Sequence, residues 1–217
     1  MTAALVGAFG AVAAVNAWAV ARGRKDVEYV AKPGCMLFLI AAAITLDPSD
    51  SGARVALVAA LVLSLAGDVF LMLPGRQPGS EGPNLFVAGL GSFLVAHLAF
   101  VAAFFMAGTE AGWLAAGAVA GVAVVVFVGR PVLAAVRASS EPALAGPVGA
   151  YILVIAAMLI SATGTGDALA IAGALSFATS DSLIARERFL VKAAWAPLAI
   201  IVTYHLAQAL LVLSFAA

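Results

Sequence analysis

Apolar residues in this chain run in long unbroken stretches. They do not alternate as in a half-buried strand, and they form no narrow stripe as on a helix of a soluble core. A helix needs about 20 mostly apolar residues to cross a bilayer. Eight segments qualify: 2–21, 31–46, 54–73, 84–106, 112–129, 147–163, 167–185 and 194–216. The second is short and opens on Lys32-Pro33, and proline suits a helix's first turn, where its missing N–H costs nothing. Residues 130–146 hold Arg130, Pro131, Arg137 and Pro142, with Pro147 just beyond, and predict a loop with one surface helical turn. The remaining linkers are short: Asp47-Pro48-Ser49-Asp50, Pro74-Gly75-Arg76 and Gly164-Thr165-Gly166-Asp167. They leave no room for a soluble domain, so residues 1–217 read as one all-α transmembrane domain, a polytopic bundle of eight helices.

Composition agrees with the pattern. The chain is 65% hydrophobic and 10% charged, with a mean hydropathy of +1.14, whereas a soluble domain carries about a quarter charged residues. Continuous apolar runs favour helices over a barrel. A formal net charge of zero gives no sign of nucleic-acid binding. The single cysteine, Cys35, excludes an internal disulfide and a cysteine metal cluster, and at a helix start it reads as a small packing residue. Ala17-Trp18-Ala19 resembles a signal-peptide cleavage site, but no positive charge precedes the first span; Arg22, Arg24 and Lys25 follow it. That is the wrong flank for a signal peptide, so residues 2–21 are expected to be a retained span.

Charge placement sets the expected orientation. With the loop after span one on the cytoplasmic side, that side receives Arg22, Arg24, Lys25, Lys32, Arg76, Arg130, Arg137, Arg186, Arg188 and Lys192, and the other side only Arg54. One missed helix would invert every later loop, so the asymmetry supports eight spans with both termini outside the cytoplasm. Trp18, Trp113 and Trp195 fall near span ends, where indoles favour the interface.

Against this background two acidic residues stand out. Asp68 and Asp181 lie within spans three and seven, about 4–5 residues or roughly 6–8 Å inside the expected inner boundary. A carboxylate there is costly, about 2.5–3.5 kcal/mol near the centre and less toward the interface, and persists where it pairs, binds or transfers protons. His97 and His205 lie nearer mid-span, and Asn84, Tyr151, Ser180, Tyr204 and Gln208 complete the candidate polar set. Tyr204 and Gln208 are four apart and share a helix face. The blocks Gly67-Asp68 and Ser180-Asp181, each followed by a histidine-bearing span, hint at two parallel four-helix halves. Two His and two Asp include zinc-like ligands, but with no HExxH and no third histidine no metal or other cofactor is expected. No GxSxG elbow is present either, and the glycines read as helix-packing residues.

The order of these residues resembles the YhhN family with its TMEM86-like lysoplasmalogenases. It runs Lys32-Pro33; Gly67-Asp68-x-x-Leu71; Phe86-x-x-Gly89-x-x-x-Phe93-x-x-x-His97-x-x-Phe100. It continues Gly173-Ala174-x-x-Phe177-x-x-Ser180-Asp181-x-Leu183, Phe189, and Tyr204-x-x-x-Gln208. Phe100 stands where the family often has tyrosine, and Tyr204-His205 where it often has a tyrosine pair. The resemblance implies hydrolysis of the vinyl ether bond of a lysoplasmalogen to a fatty aldehyde and glycerophosphoethanolamine or glycerophosphocholine. It implies a multi-pass protein of a bacterial inner membrane, whose site opens toward the cytoplasmic leaflet. Its partners would be the lysophospholipid substrate and membrane lipids, with the chain a monomer or homodimer.

Such chemistry starts with slow protonation of carbon to an oxocarbenium ion, then addition of water. Desolvation and a second carboxylate are what hold a proton on an acid for that step, and paired carboxylates divide the same labour on glycosides. Asp68 and Asp181 are therefore expected as acid and base in either order. His97 would orient one of them, and Lys32 would meet the substrate phosphate. Asn84, Tyr151, Ser180, Tyr204, His205 and Gln208 would contact substrate. The competing reading is a proton-coupled transporter or lipid-binding protein using the same aspartates.

Overall fold

The computed structural model describes residues 1–47, 50–73 and 84–216. The expected linkers at Pro48-Ser49 and Pro74-Gly75-Arg76 lie outside the described residues. The chain forms helices α1 (Thr2–Ala21), α2 (Lys25–Ile44), α3 (Ser51–Met72), α4 (Leu85–Ala107) and α5 (Ala111–Val124). A π-helical turn, Val125–Gly129, joins α5 to α6 (Arg130–Ala138); a 3₁₀ turn, Pro142–Leu144, leads to α7 (Ala145–Gly164), α8 (Ala168–Phe189) and α9 (Ala196–Leu213). Among the described residues eight helices are long and apolar enough to cross a membrane, counting Ala111–Ala138 as one.

Polar residues mark where these helices begin. Asp50 accepts from the backbone N–H of Gly52 at 2.6 Å and of Ala53 at 3.2 Å, and Asp167 accepts from that of Ala170 at 2.8 Å. Each satisfies orphan donors of a first turn. Polarity is otherwise inverted relative to a soluble fold. Val55, Val119, Phe127 and Leu153 face outward, while Asn16, Ser64, Asp68, His97, Asp181 and Gln208 are buried. Lipid solvates the former, and only protein can satisfy the latter.

Three expectations change. Pro33 lies inside α2, eight residues after its first residue Lys25, because the chain before it is already helical. Lys25 pairs with Glu28 at 2.7 Å one turn on, and Asp26 and Glu28 supply negative charge to the first turn. Cys35 is accordingly mid-helix and fully buried. Third, residues 130–138 are no loop: α6 continues span five to 28 residues. Proline breaks a helix because it lacks an N–H and its ring strikes a preceding carbonyl. The π turn just before Arg130-Pro131 already departs from the regular hydrogen-bond ladder, so the helix passes through.

Neighbouring helices pack as α1 on α2, α3 on α4, α5 on α7 and α8 on α9, with α4 on α7, α1 on α9 and α7 on α8 closing the bundle. Two glycines set the closeness. A Cβ on Gly117 would meet the Ile160 carbonyl oxygen at 2.8 Å, so α5 and α7 touch backbone to backbone. A Cβ on Gly67 would meet the Phe93 ring at 2.5 Å, so that ring packs directly on α3 beside Asp68.

Candidate active site

α2, α3 and α9 build the first of two buried polar clusters. Asp68, near the end of α3, is 1% exposed. Its Oδ1 lies 2.9 Å from the Lys32 ammonium, and its Oδ2 accepts from the Tyr204 hydroxyl at 2.6 Å. Both oxygens are thus engaged, one by a cation and one by a neutral donor, which is the setting of an ionised carboxylate. The Lys32 nitrogen also lies 5.6 Å from the Tyr204 ring centre.

The second cluster joins α4, α7 and α8. The Tyr151 hydroxyl donates to Asp181 Oδ2 at 2.8 Å, and His97 Nε2 stands 3.5 Å from the same oxygen. No hydrogen bond among the described residues engages Oδ1. His97 Nδ1 lies 2.6 Å from the Phe93 carbonyl. A carbonyl only accepts, so Nδ1 carries hydrogen, and in the neutral ring Nε2 is a bare acceptor facing the carboxyl. Two bare acceptors repel, whereas one proton between them binds them together. In this geometry a proton on either group would bridge Asp181 and His97.

Aromatic rings separate and connect the clusters. Phe177 packs edge-on against His97, centroids 4.6 Å apart, and against Tyr204 at 5.6 Å. Phe93 packs against Phe177 at 6.2 Å and Tyr204 at 6.0 Å. Partners also cross over between the halves suggested by the sequence. His97, following Asp68 in the chain, serves Asp181, and Tyr204, following Asp181, serves Asp68.

The clusters differ in access. An apolar cleft of about 70 Å³, open on one side, is bounded by α4, span five, α7 and α8. Phe93, Val124, Val128, Val132, Ile152 and Ile155 contribute to its walls. Tyr151, Asp181, Ser182 and Arg188 are its polar lining among the described residues; Asp68 is not part of it.

The other expected site residues are placed as follows. Ser180 donates to the Ile200 carbonyl at 3.2 Å, tying α8 to α9. His205 turns toward α1, with Nε2 3.4 Å from Asn16 Oδ1 and its ring edge-on to Phe9. Gln208 is fully buried, and neither of its amide atoms finds a hydrogen-bond partner. Asn84 is exposed, and its side chain caps α4 by accepting from the Val87 N–H at 3.3 Å. Lys32 is engaged with Asp68. Among the described residues no group of three or more His, Cys, Asp or Glu converges as a metal site needs.

Arg188 and Asn16 escaped the sequence reading. Arg188 was counted with a basic loop, yet α8 runs to Phe189 and carries it along the cleft. The available signal was spacing: Arg188 stands seven residues after Asp181, two helical turns away on the same face. Asn16 is a polar residue inside span one, a sign in its own right.

The family model of the YhhN family matches residues 27–215. The chain is similar to the human protein named lysoplasmalogenase TMEM86B, 33% identical over 181 residues, covering 83% of this chain and 72% of that protein. No solved structure matches.

Proposed function

The chain belongs to the YhhN family, and from that premise we propose that it is a membrane hydrolase cleaving the vinyl ether bond of lysoplasmalogens. The human relative is named for that activity. The observation that carries the reading is Asp181, a membrane-buried carboxyl at an apolar cleft, with Tyr151 donating to one oxygen, His97 Nε2 3.5 Å from it, and no hydrogen bond to the other among the described residues. An alkenyl chain suits the apolar walls, and the polar end of the lipid suits the rim.

Asp181 is assigned the acid step. Its carboxyl proton goes to the outer vinyl carbon, leaving an oxocarbenium ion beside the new carboxylate. That carboxylate then takes a proton from the water that adds, which regenerates the acid and gives a hemiacetal. The hemiacetal collapses to fatty aldehyde and glycerophosphoethanolamine or glycerophosphocholine. One carboxyl thus alternates as acid and base, as the acid/base group of a retaining glycosidase does. Tyr151 holds Oδ2, and His97, 3.5 Å away, offers a second resting place for the proton. Asp68 acts from behind the aromatic partition, fixing Tyr204, and through it Phe93 and Phe177, with Lys32 balancing its charge. In the orientation given by the basic loops the cleft serves the cytoplasmic leaflet.

The test is aldehyde release by purified protein from a lysoplasmalogen, with a 1-acyl lysophospholipid as control. Asp181→Asn is expected to lower the rate by at least about 100-fold, the usual share of a general acid, with folding retained. Full activity in that variant removes Asp181 from the chemistry.

A further inference from the structure

α8 continues two turns beyond Asp181, and Asp181, Ala185 and Arg188 all line the same cleft. Seven residues at 1.5 Å each separate Asp181 from Arg188 by about 10 Å along the helix. The Arg188 guanidinium lies 4.5 Å from the Phe86 ring centre and 5.9 Å from that of Phe189. One terminal nitrogen donates to Glu141 at 2.7 Å, and the side chain is 41% exposed. A guanidinium has five N–H donors in a planar fork, so this single bond leaves others for an oxyanion. Among the described residues, two other cations are engaged elsewhere. Lys32 is on Asp68, and Arg186 lies over Trp195 at 5.7 Å, beside a separate outer groove.

We infer that Arg188 is the phosphate-binding residue of the cleft, held in plane by Phe86 and Phe189 and restrained by Glu141. This rests on the reading of the cleft as the site of lysoplasmalogen hydrolysis. The geometry fits that substrate: seven covalent bonds separate the vinyl carbon that takes the proton from the phosphorus, an extended reach of about 8–9 Å by ordinary bond lengths. A phosphate at Arg188 therefore sets the vinyl ether at the level of Asp181. The same contact predicts a preference for a lysophospholipid over a neutral alkenylglycerol.

The test measures binding without turnover. The ligand is a saturated 1-O-alkyl lysophosphoethanolamine, compared with 1-O-alkylglycerol of the same chain length. The unmodified protein is expected to prefer the phosphorylated ligand by about tenfold or more, the range of one charge-assisted contact. Arg188→Ala and Arg188→Gln lose the preference while binding alkylglycerol as before, which also shows that they fold. Glu141→Gln keeps it. Lysoplasmalogen turnover alongside an unchanged preference in Arg188→Ala overturns this inference alone, as does the absence of any preference in the unmodified protein. Arg188-dependent preference without turnover of lysoplasmalogen overturns the hydrolase reading and leaves the phosphate site standing.

Discussion

Lys32 and Asp68 meet at 2.9 Å with side chains only 16% and 2% exposed. Removing one member of such a pair strands the other and costs about 3–5 kcal/mol, whereas replacing both by apolar groups of similar volume is often neutral. Lys32→Met is therefore expected to lower the thermal midpoint in detergent clearly, and Lys32→Met combined with Asp68→Leu to restore most of it. The double variant stays slow in aldehyde release, because Tyr204 has lost the carboxylate that fixes it. A double variant as active as the unmodified protein would show that the pair serves stability only. The sequence made both aspartates legible, because a charge inside an apolar span has few reasons to be there. It did not reveal their partners. Lys32 looked like a cation at an open mouth, and only the crossing of α2 over α3 shows where its ammonium lies. Which aspartate faces the cleft was equally hidden, since both sit in Ala-rich helices whose apolar residues run all round.

Span five carries the cleft wall, and its irregularity is local. Gly129, closing the π turn, is buried, and a Cβ there would meet the Ile152 side chain at 2.8 Å, so α7 packs closely on this turn. Val124, Val128 and Val132 line the cleft opposite Tyr151 and Ile155, and all three also border the outer groove against α8. Val128→Trp adds an indole to the cleft proposed to hold the alkenyl chain. It is expected to reduce turnover of long-chain lysoplasmalogens at least tenfold, while a short-chain substrate keeps most of its rate and the thermal midpoint holds. Equal loss on both would place the effect outside chain accommodation. The prolines show where element boundaries escaped the sequence. Pro33 and Pro131 were read as a start and a stop, the ordinary meaning of proline beside an apolar run. A polar turn before Pro33 and a π turn before Pro131 let both helices pass through. Neither device changes the hydrophobic pattern, so the span count survived while the bounds moved.

At the scale of the whole molecule, the alternation of eight spans puts Lys32, Arg188 and both polar clusters toward one end of the bundle. The strongest argument for which way that end faces is the placement of basic residues, which follows from how loops are translocated and not from packing. It can be read directly with a thiol. Cys35 is fully buried, so it forms a silent background for maleimide labelling of the folded protein. Ser140, between α6 and the 3₁₀ turn, and Ala107, at the end of α4, are both exposed and lie at opposite ends of the bundle. Ser140→Cys is expected to react with a membrane-impermeant maleimide only in inside-out vesicles, and Ala107→Cys only in intact cells. The reverse pattern would turn the cleft toward the outer leaflet, and the lipid reaching Arg188 and Asp181 would then have to come from that side. Labelling of both from one side would contradict the eight-span count itself, because these positions are separated by a single crossing, Ala111–Ala138.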